Sequence, residues 1–516
     1  MNNSNAGSTT PNGSELAGAT TIEFRGGRIM SAVPIGLFIL WAIVQTGLLR
    51  IGDTSGLIGG ILISLIIGML FVRGPWTQYA NAIFEGMAQK VAVTAIVAWL
   101  WAGMFSQTLQ AGGFVNGLGW LAEVSGVGHA LFPAITFILA ALLATGIGTG
   151  YGTVIAFVAL FFPAGVALGA DPVLMFGAIL SGAVFGDNLA PVSDTTIVSA
   201  VTQDSDVGGV VASRFKYAFT AAALAFVAYV IAGAMAPLTE VAADARTLFA
   251  EEAEPRSLVH LLSMAMVIGM AIRGRHIIEA ISWGLITAIA LNLVFGLAPL
   301  SAILVFNVAE ETWAAGALGG LPVVEIVPAG EESVGGSIYE GAAGFVTMSV
   351  LILLVIAAAQ VMIRGGGFQA LQDWLLTSVA KTVRSAEITM VTATAAINAA
   401  ITINTAAEIA VAPYIASIGK RFNINGYRRA NILDANTSAL GYIFPWSGGV
   451  LIGFTQMNLL VDTYDWFTPA MVVSPVQAWP WVFHGWLLVF VFLFAAWTGF
   501  GREYTSDRVS KGSTTI

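Results

Sequence analysis

The chain has 516 residues, of which 57% are hydrophobic and 10% charged, with 58 glycines, no cysteine and a formal net charge of −9. So high an apolar share excludes a soluble globule, whose core needs far fewer such side chains, and makes lipid the solvent for much of the chain. The missing thiols exclude disulfides and thiolate metal sites, and the negative charge argues against a nucleic-acid partner.

In chain order, residues 1–27 are polar and rich in Gly, Ser, Thr and Asn. They lack the basic, apolar and cleavage regions of a secretory signal and read as a disordered cytoplasmic tail. Stretches 30–47, 55–72, 91–108, 217–235, 342–362 and 479–497 are each near bilayer length and almost free of charge, so they read as spanning helices. No short alternating segments suggest a barrel, and an unpaired backbone is costly in hydrocarbon. The expected fold is therefore an all-α polytopic membrane protein. Residues 28–235 form its first half, with the repeat starting at about 55. Residues 236–277 form an acidic external loop and connecting helix, 278–500 the second half, and 501–516 a second cytoplasmic tail. His129, His260, His276 and His484 show no HExxH-like spacing, so no histidine metal site or cofactor is expected.

Lys and Arg collect in cytoplasmic loops and so set orientation. Eighteen of the 21 fall on one side: Arg25, Arg28, Arg73, Lys90, Arg214, Lys216, Arg273, Arg275, Arg364, Lys381, Arg384, Lys420, Arg421, Arg428, Arg429, Arg502, Arg508 and Lys511. Arg50, Arg246 and Arg256 fall outside. The two longest external loops are acidic, one at 240–254 and one before Ala342 that carries Glu310, Glu311, Glu325, Glu331 and Glu332. Both termini are expected in the cytoplasm. Stretches 130–168 and 386–418 are each too long for one helix and are interrupted by small polar residues. Each is compatible with a re-entrant hairpin or a pair of spans. The first begins and ends outside and the second inside, so the halves are inverted.

Self-comparison supports this. Gly112-Gly113-Phe114 followed by Trp120-Leu121 recurs as Gly366-Gly367-Phe368 followed by Trp374-Leu375, an offset of 254 in both pieces. At that offset the polar run 145–153 falls on 399–407. A further interruption, 186–196, is matched by 434–438 leading to Pro445-Trp446-Ser447. Paired Gly/Pro-interrupted apolar segments point to a transporter binding site.

An Asp at mid-bilayer costs about 2.5–3.5 kcal/mol and so faces a cavity or a partner. Asp187 and Asp194 share one segment with no basic residue before Arg214. Pro191 removes a donor between them and opens the helix. Freed carbonyls with Asn188, Ser193, Thr195 and Thr196 supply the oxygen ligands a hard cation favours, which makes Asp187 and Asp194 the expected Na+ site. Two carboxylates held close resist being ionised together, which lets protons compete with the ion. As an alternative, either Asp caps the following helix. The second half offers Asn404, Thr405 and Glu408 at one break and Asp434, Asn436, Thr437 and Ser438 at the other. Arg428 and Arg429 are the nearby partners for Asp434. Thr149, Tyr151 and Thr153, set among glycines, read as a hairpin tip that a ligand can approach or as close helix packing.

FGDNLAPVSDTT, residues 185–196, resembles the GD-x-x-SP-x-SDTT signature of the NhaC-type sodium/proton antiporter family. TGIGTGYGT (145–153) resembles that family's TGTS-x-GT stretch, and LDANTSALGYIFPWSGG (433–449) its ED-x-GT…PW-x-x-x-G region. The likeness runs from about residue 55 to 497. It implies that Asp187, Asp194, Thr195 and Thr196 are cation-site residues, with Asp434 and Thr437 from the second-half motif. Ala190, Asn188 and Ser447-Gly448 depart from the pattern, and relatives in the family resemble malate/lactate or amino-acid transporters.

The expected function is Na+/H+ antiport by alternating access in a prokaryotic cell membrane, with Na+ and H+ as partners and the lipid bilayer as surroundings. The alternative is Na+- or H+-coupled transport of a small organic acid or amino acid. The absence of any buried Lys or Arg slightly favours a bare cation over an anion. No nucleophile, base or metal set of an enzyme is present. A homo-oligomer is left open.

Overall fold

Uncharged apolar runs satisfy their backbone in lipid by forming helices. Helices dominate the computed structural model, which describes residues 22–505 apart from 50, 52–53, 192, 240–253, 274, 310–312, 314–324, 331, 371–372, 374–380 and 402–403. The first half holds α1 (Val33–Ala42), α2 (Thr54–Met69), α3 (Trp76–Met87), α4 (Lys90–Ala111) and α5 (Phe114–Ser125). It continues through α6 (Phe132–Ile147), α7 (Gly150–Ala167), α8 (Pro172–Leu189), α9 (Asp194–Thr202) and α10 (Val207–Met235). Helices α11 (Leu261–Ile272) and α12 (Ile277–Phe295) lead to the second half. There follow α13 (Ser337–Ala343), α14 (Val346–Arg364), α15 (Val383–Ile401), α16 (Asn404–Arg421), α17 (Gly426–Leu440), α18 (Gly448–Thr463) and α19 (Phe483–Thr498). Among the described residues, eight helical stretches are long and apolar enough to cross a membrane.

The repeat is sharper in three dimensions than in sequence. Helix α16 begins and ends 254 residues after α7, α17 starts 254 residues after α8, and α18 starts 254 residues after α9. The N-caps of α9 and α18 are Ser193 and Ser447, the same offset again. Packing is reciprocal too, with α3 against α14 and α13 against α4. The interrupted stretches 130–168 and 386–418 are both helix–break–helix hairpins, α6–α7 and α15–α16, whose arms pack on each other. Gly148 makes the first break by taking a left-handed conformation, φ 71°.

Helix α7 is the centre of the molecule. All of it except Tyr151 is buried, and it packs against α4, α8 and α18. Behind it, α6 and α8 approach closely because Gly186 has no side chain. A Cβ there would lie 2.1 Å from the Cβ of Ala144.

Several expectations need correction. Residues 1–21 lie outside the described residues, but 22–27 are not a disordered tail. Ile22 is buried, and β1 (Glu23–Phe24) pairs antiparallel with β2 (Val72–Arg73). The long acidic loop before Ala342 carries a small sheet in which β3 (Val305–Val308) lies between β4 (Glu325–Pro328) and β5 (Ser333–Gly335). Helix α10 starts at 207 rather than 217, because Asp206 caps it by accepting the amide of Gly209 at 2.6 Å. Arg214 is therefore inside a helix and the protein, not in a loop. Arg214, Arg428 and Arg429 are all buried, which contradicts the expected lack of buried basic residues. Residues 434–438 are not at a break but within α17, and the real interruption is 441–447.

Candidate functional site

The first break is built from short-range signals. Asp171 caps α8, accepting the amides of Val173 and Leu174 at 2.8 and 2.9 Å, with Pro172 pre-set at the first helical position. The helix ends at Leu189, and Pro191 has no N–H to extend it. Asp187, in the last turn of α8, is buried, whereas Asp194, the first residue of α9, is exposed. Accessible space thus meets Asp194 first, with Asp187 behind it.

Both carboxylates are held from the other half. Asp187 Oδ1 accepts the Ser193 hydroxyl at 2.9 Å, and its Oδ2 accepts Asn404 Nδ2 at 3.1 Å and the Tyr442 hydroxyl at 3.2 Å. Asp194 Oδ2 accepts the Thr405 hydroxyl at 2.6 Å, and its Oδ1 the amide of Thr195 at 3.0 Å. Ser193 spends its one proton on Asp187. The 3.0 Å contact between Ser193 and Thr195 is therefore donated by Thr195. The start of α16 faces the α8–α9 break as a result. The cap position of α9 is held by Ser193, not Asp194, whose side chain bonds Thr405 across the interface as well as its neighbour's amide.

The second break faces α7 in the same way. A Cβ on Gly150 would lie 2.0 Å from the Tyr442 hydroxyl, and one on Gly448 would lie 3.0 Å from the Tyr151 hydroxyl. The Tyr151 ring packs edge-on to Trp99 and 5.4 Å from the Tyr442 ring. Trp446 Nε1 donates to the carbonyl of Ala399 at 2.8 Å, tying the break to the tip of the α15–α16 hairpin. Thr149 sits at the cap position of α7, and Thr153 bonds back to its carbonyl at 3.0 Å. Thr153 therefore serves the helix, whereas Tyr151 belongs to the site wall.

Asp434 is corrected in both partner and status. Its Oδ2 forms an ion pair with Arg214, both side chains being fully buried, and also accepts from Thr196 at 3.2 Å and Ser199 at 3.4 Å. Ser438 donates to its Oδ1 at 2.6 Å. Arg428 instead pairs with Glu387 at 2.8 Å, and Arg429 bonds Gln203 at 3.2 and 2.9 Å. Asp434 lies too deep in α17 for either. Arg214 also donates to the carbonyl of Asn188 at 2.5 Å and to Asn431 at 3.1 Å. It so fills one of the carbonyls that the end of α8 leaves unpaired. The Thr437 hydroxyl bonds carbonyls of its own helix, those of Leu433 and Asp434, at 3.1 Å each. Sequence reading missed Arg214, Ser199 and Tyr442. The cap signal at Asp206 was the clue to Arg214, since starting the helix there places Arg214 two turns inside it.

Around this centre lie side-chain polar atoms that are buried without a hydrogen-bond partner among the described residues: both carboxylate oxygens of Glu408, the side-chain amide of Asn188, and Oδ1 of Asn398, Asn404 and Asn436. Such groups are rare unless something else binds there. Among the described residues, no three His, Asp or Glu side chains are placed to hold a metal together. A cation held by Asp187 and Asp194 would complete its shell with hydroxyl, amide and backbone oxygens, and among the described residues the side-chain oxygens of Asn188 and Asn404 have no hydrogen-bond partner.

A helical membrane bundle with two broken, interlocked halves and a carboxylate-lined centre is a secondary-transporter architecture. The chain belongs to the Na+/H+ antiporter family, whose sequence model matches residues 4–234 and 202–486. It is similar to an uncharacterized protein of Haemophilus influenzae, 30% identical over 35% of each chain. It is also similar to the malate-2H(+)/Na(+)-lactate antiporter of Bacillus subtilis, 27% identical over 39% of this chain and 42% of that one. The Na(+)/H(+) antiporter NhaC of Alkalihalophilus pseudofirmus is 26% identical over 31% of this chain and 34% of its own. These matches thus span less than half the length of each relative.

Proposed function

We propose that this chain exchanges Na+ for H+ across a bacterial cell membrane by alternating access, with both termini in the cytoplasm and the ion bound at Asp187 and Asp194. The observation that carries this reading is that each aspartate, at a helix break in the first half, is held by Asn404 or Thr405 at the break in the second. Relative movement of the halves then makes and unmakes the site itself. When Na+ arrives at Asp194, Thr405 turns its hydroxyl proton away and offers a lone pair, and Asn188, Ser193 and Thr195 add oxygens. Thr196 and Asp434 form the wall behind, where Arg214 already meets the charge. Asn436 lies on α17 one residue before Thr437, and its Oδ1 is buried with no hydrogen-bond partner among the described residues.

The test is Na+ addition to inside-out vesicles holding an imposed proton gradient. The expected result is collapse of the gradient, lost in Asp194→Asn. An intact gradient in the presence of Na+ overturns the reading. A second reading, coupled carriage of a small organic acid or amino acid, has Arg214 in its favour as a buried positive charge beside the site. Its charge is committed to Asp434, which favours the cation.

A further inference from the structure

Glu408 is the one carboxyl at this centre that the cation reading leaves without a task. It lies on α16 four residues after Asn404 and three after Thr405, so it shares their helix face one turn further on. Those two side chains hold Asp187 and Asp194. Glu408 is fully buried, and neither of its oxygens has a hydrogen-bond partner among the described residues. The charged groups that act on it are Asp434 on α17, Arg214 on α10, Asp194 on α9 and Asp187 on α8. On α15, which also packs against α16, the acidic group is Glu387, near the opposite end of that helix and held by Arg428 and Arg502. Three of these four groups are therefore acidic, and the one basic group is already paired with Asp434.

Resting on the reading of Asp187 and Asp194 as the cation site, we propose that Glu408 is a separate proton-binding site that is neutral in this conformation and gives up its proton as the transporter turns over. A buried carboxylate with no donor to either oxygen and like charges around it is costly, and one proton removes that cost. A proton needs no coordination shell, whereas Na+ needs several oxygens. Proton and cation thus have distinct seats in one polar interior, linked through α16. Deprotonated Glu408 repels the charges on Asp187 and Asp194 and so favours cation binding there. Reprotonation relieves that repulsion and favours cation release.

Glu408→Gln keeps the shape of the neutral acid and cannot release a proton. In proteoliposomes it is expected to retain Na+/Na+ exchange, followed with radioactive sodium, and to lose Na+-driven proton movement. Glu408→Asp is expected to restore proton movement with a shifted pH profile. In infrared difference spectra, the band of a protonated buried carboxyl is expected in wild type and absent in Glu408→Gln. Proton movement by Glu408→Gln at the wild-type ratio to Na+ overturns the proposal. So does loss of Na+/Na+ exchange in a protein that still elutes as a single folded species, since Glu408 is then a cation ligand. Wild type that moves no protons with Na+ overturns the cation reading instead, and the infrared band still decides whether Glu408 holds the proton.

Discussion

Arg214 shows how much a single buried charge can organise. It neutralises Asp434, caps the end of α8 at Asn188 and reaches Asn431, so three helices, α8, α10 and α17, meet on one guanidinium. Breaking a buried pair from one side leaves the other charge stranded. Arg214→Ala is thus expected to lower stability by about 3–5 kcal/mol. Replacing both partners with apolar residues of similar volume should recover most of that loss, measured by thermal unfolding in detergent. Full stability of Arg214→Ala alone would mean that water or lipid headgroups already reach Asp434. Asp187 and Asp194 were legible in the sequence because a charge in an apolar run needs a reason. Arg214 was not, because a basic residue three residues before the next long apolar stretch also fits a loop.

At the scale of elements, the breaks of the two halves approach one another closely. Gly441 opens the second break, and a Cβ there would lie 1.5 Å from Oδ1 of Asn404. Gly441→Ala must therefore push Asn404 off Asp187. Overpacking of this kind costs about 1–3 kcal/mol, and weaker Na+ binding than in wild type is expected by calorimetry. Residues 499–505 are a second such element. Glu387 is buried between Arg428 and Arg502. Tyr217 bonds the carbonyls of Phe500 and Gly501 at 3.3 and 3.2 Å, and Thr505 N bonds the carbonyl of Asn423 at 2.9 Å. Residues 499–505 are thereby stitched to α10, α15 and the start of α17. In Glu387→Gln, amide exchange at Asn425 and Thr505 is expected to quicken while the amides of α7 stay protected. Unchanged exchange at both would show that the segment is held by its backbone bonds alone.

At the scale of the whole molecule, the halves form a single unit through the aspartates of one and the hydroxyl and amide groups of the other. The orientation expected from the basic residues can be read directly, because the chain has no cysteine to give background. Thr505→Cys and Ser333→Cys both lie at exposed positions. A maleimide that cannot cross membranes is expected to label Ser333→Cys in intact cells and Thr505→Cys only after lysis. The reverse pattern would invert the topology.

Composition, hydropathy and the 254-residue self-match determined by themselves that this is a helical membrane protein of two related halves, because long apolar runs without the alternation of a barrel satisfy their backbone in lipid as helices and because breaks in them are conspicuous. Motif and charge together singled out Asp187 and Asp194. The tertiary structure decided which residues share a site. Only folding brings Asn404, Thr405 and Tyr442 onto aspartates more than 200 positions away, gives Asp434 to Arg214 instead of its neighbours Arg428 and Arg429, and leaves Glu408 without a hydrogen-bond partner among the described residues. Hydrogen bonds and ion pairs act over a few ångströms in space, and spacing along the chain does not report such distances once the contact crosses from one half to the other.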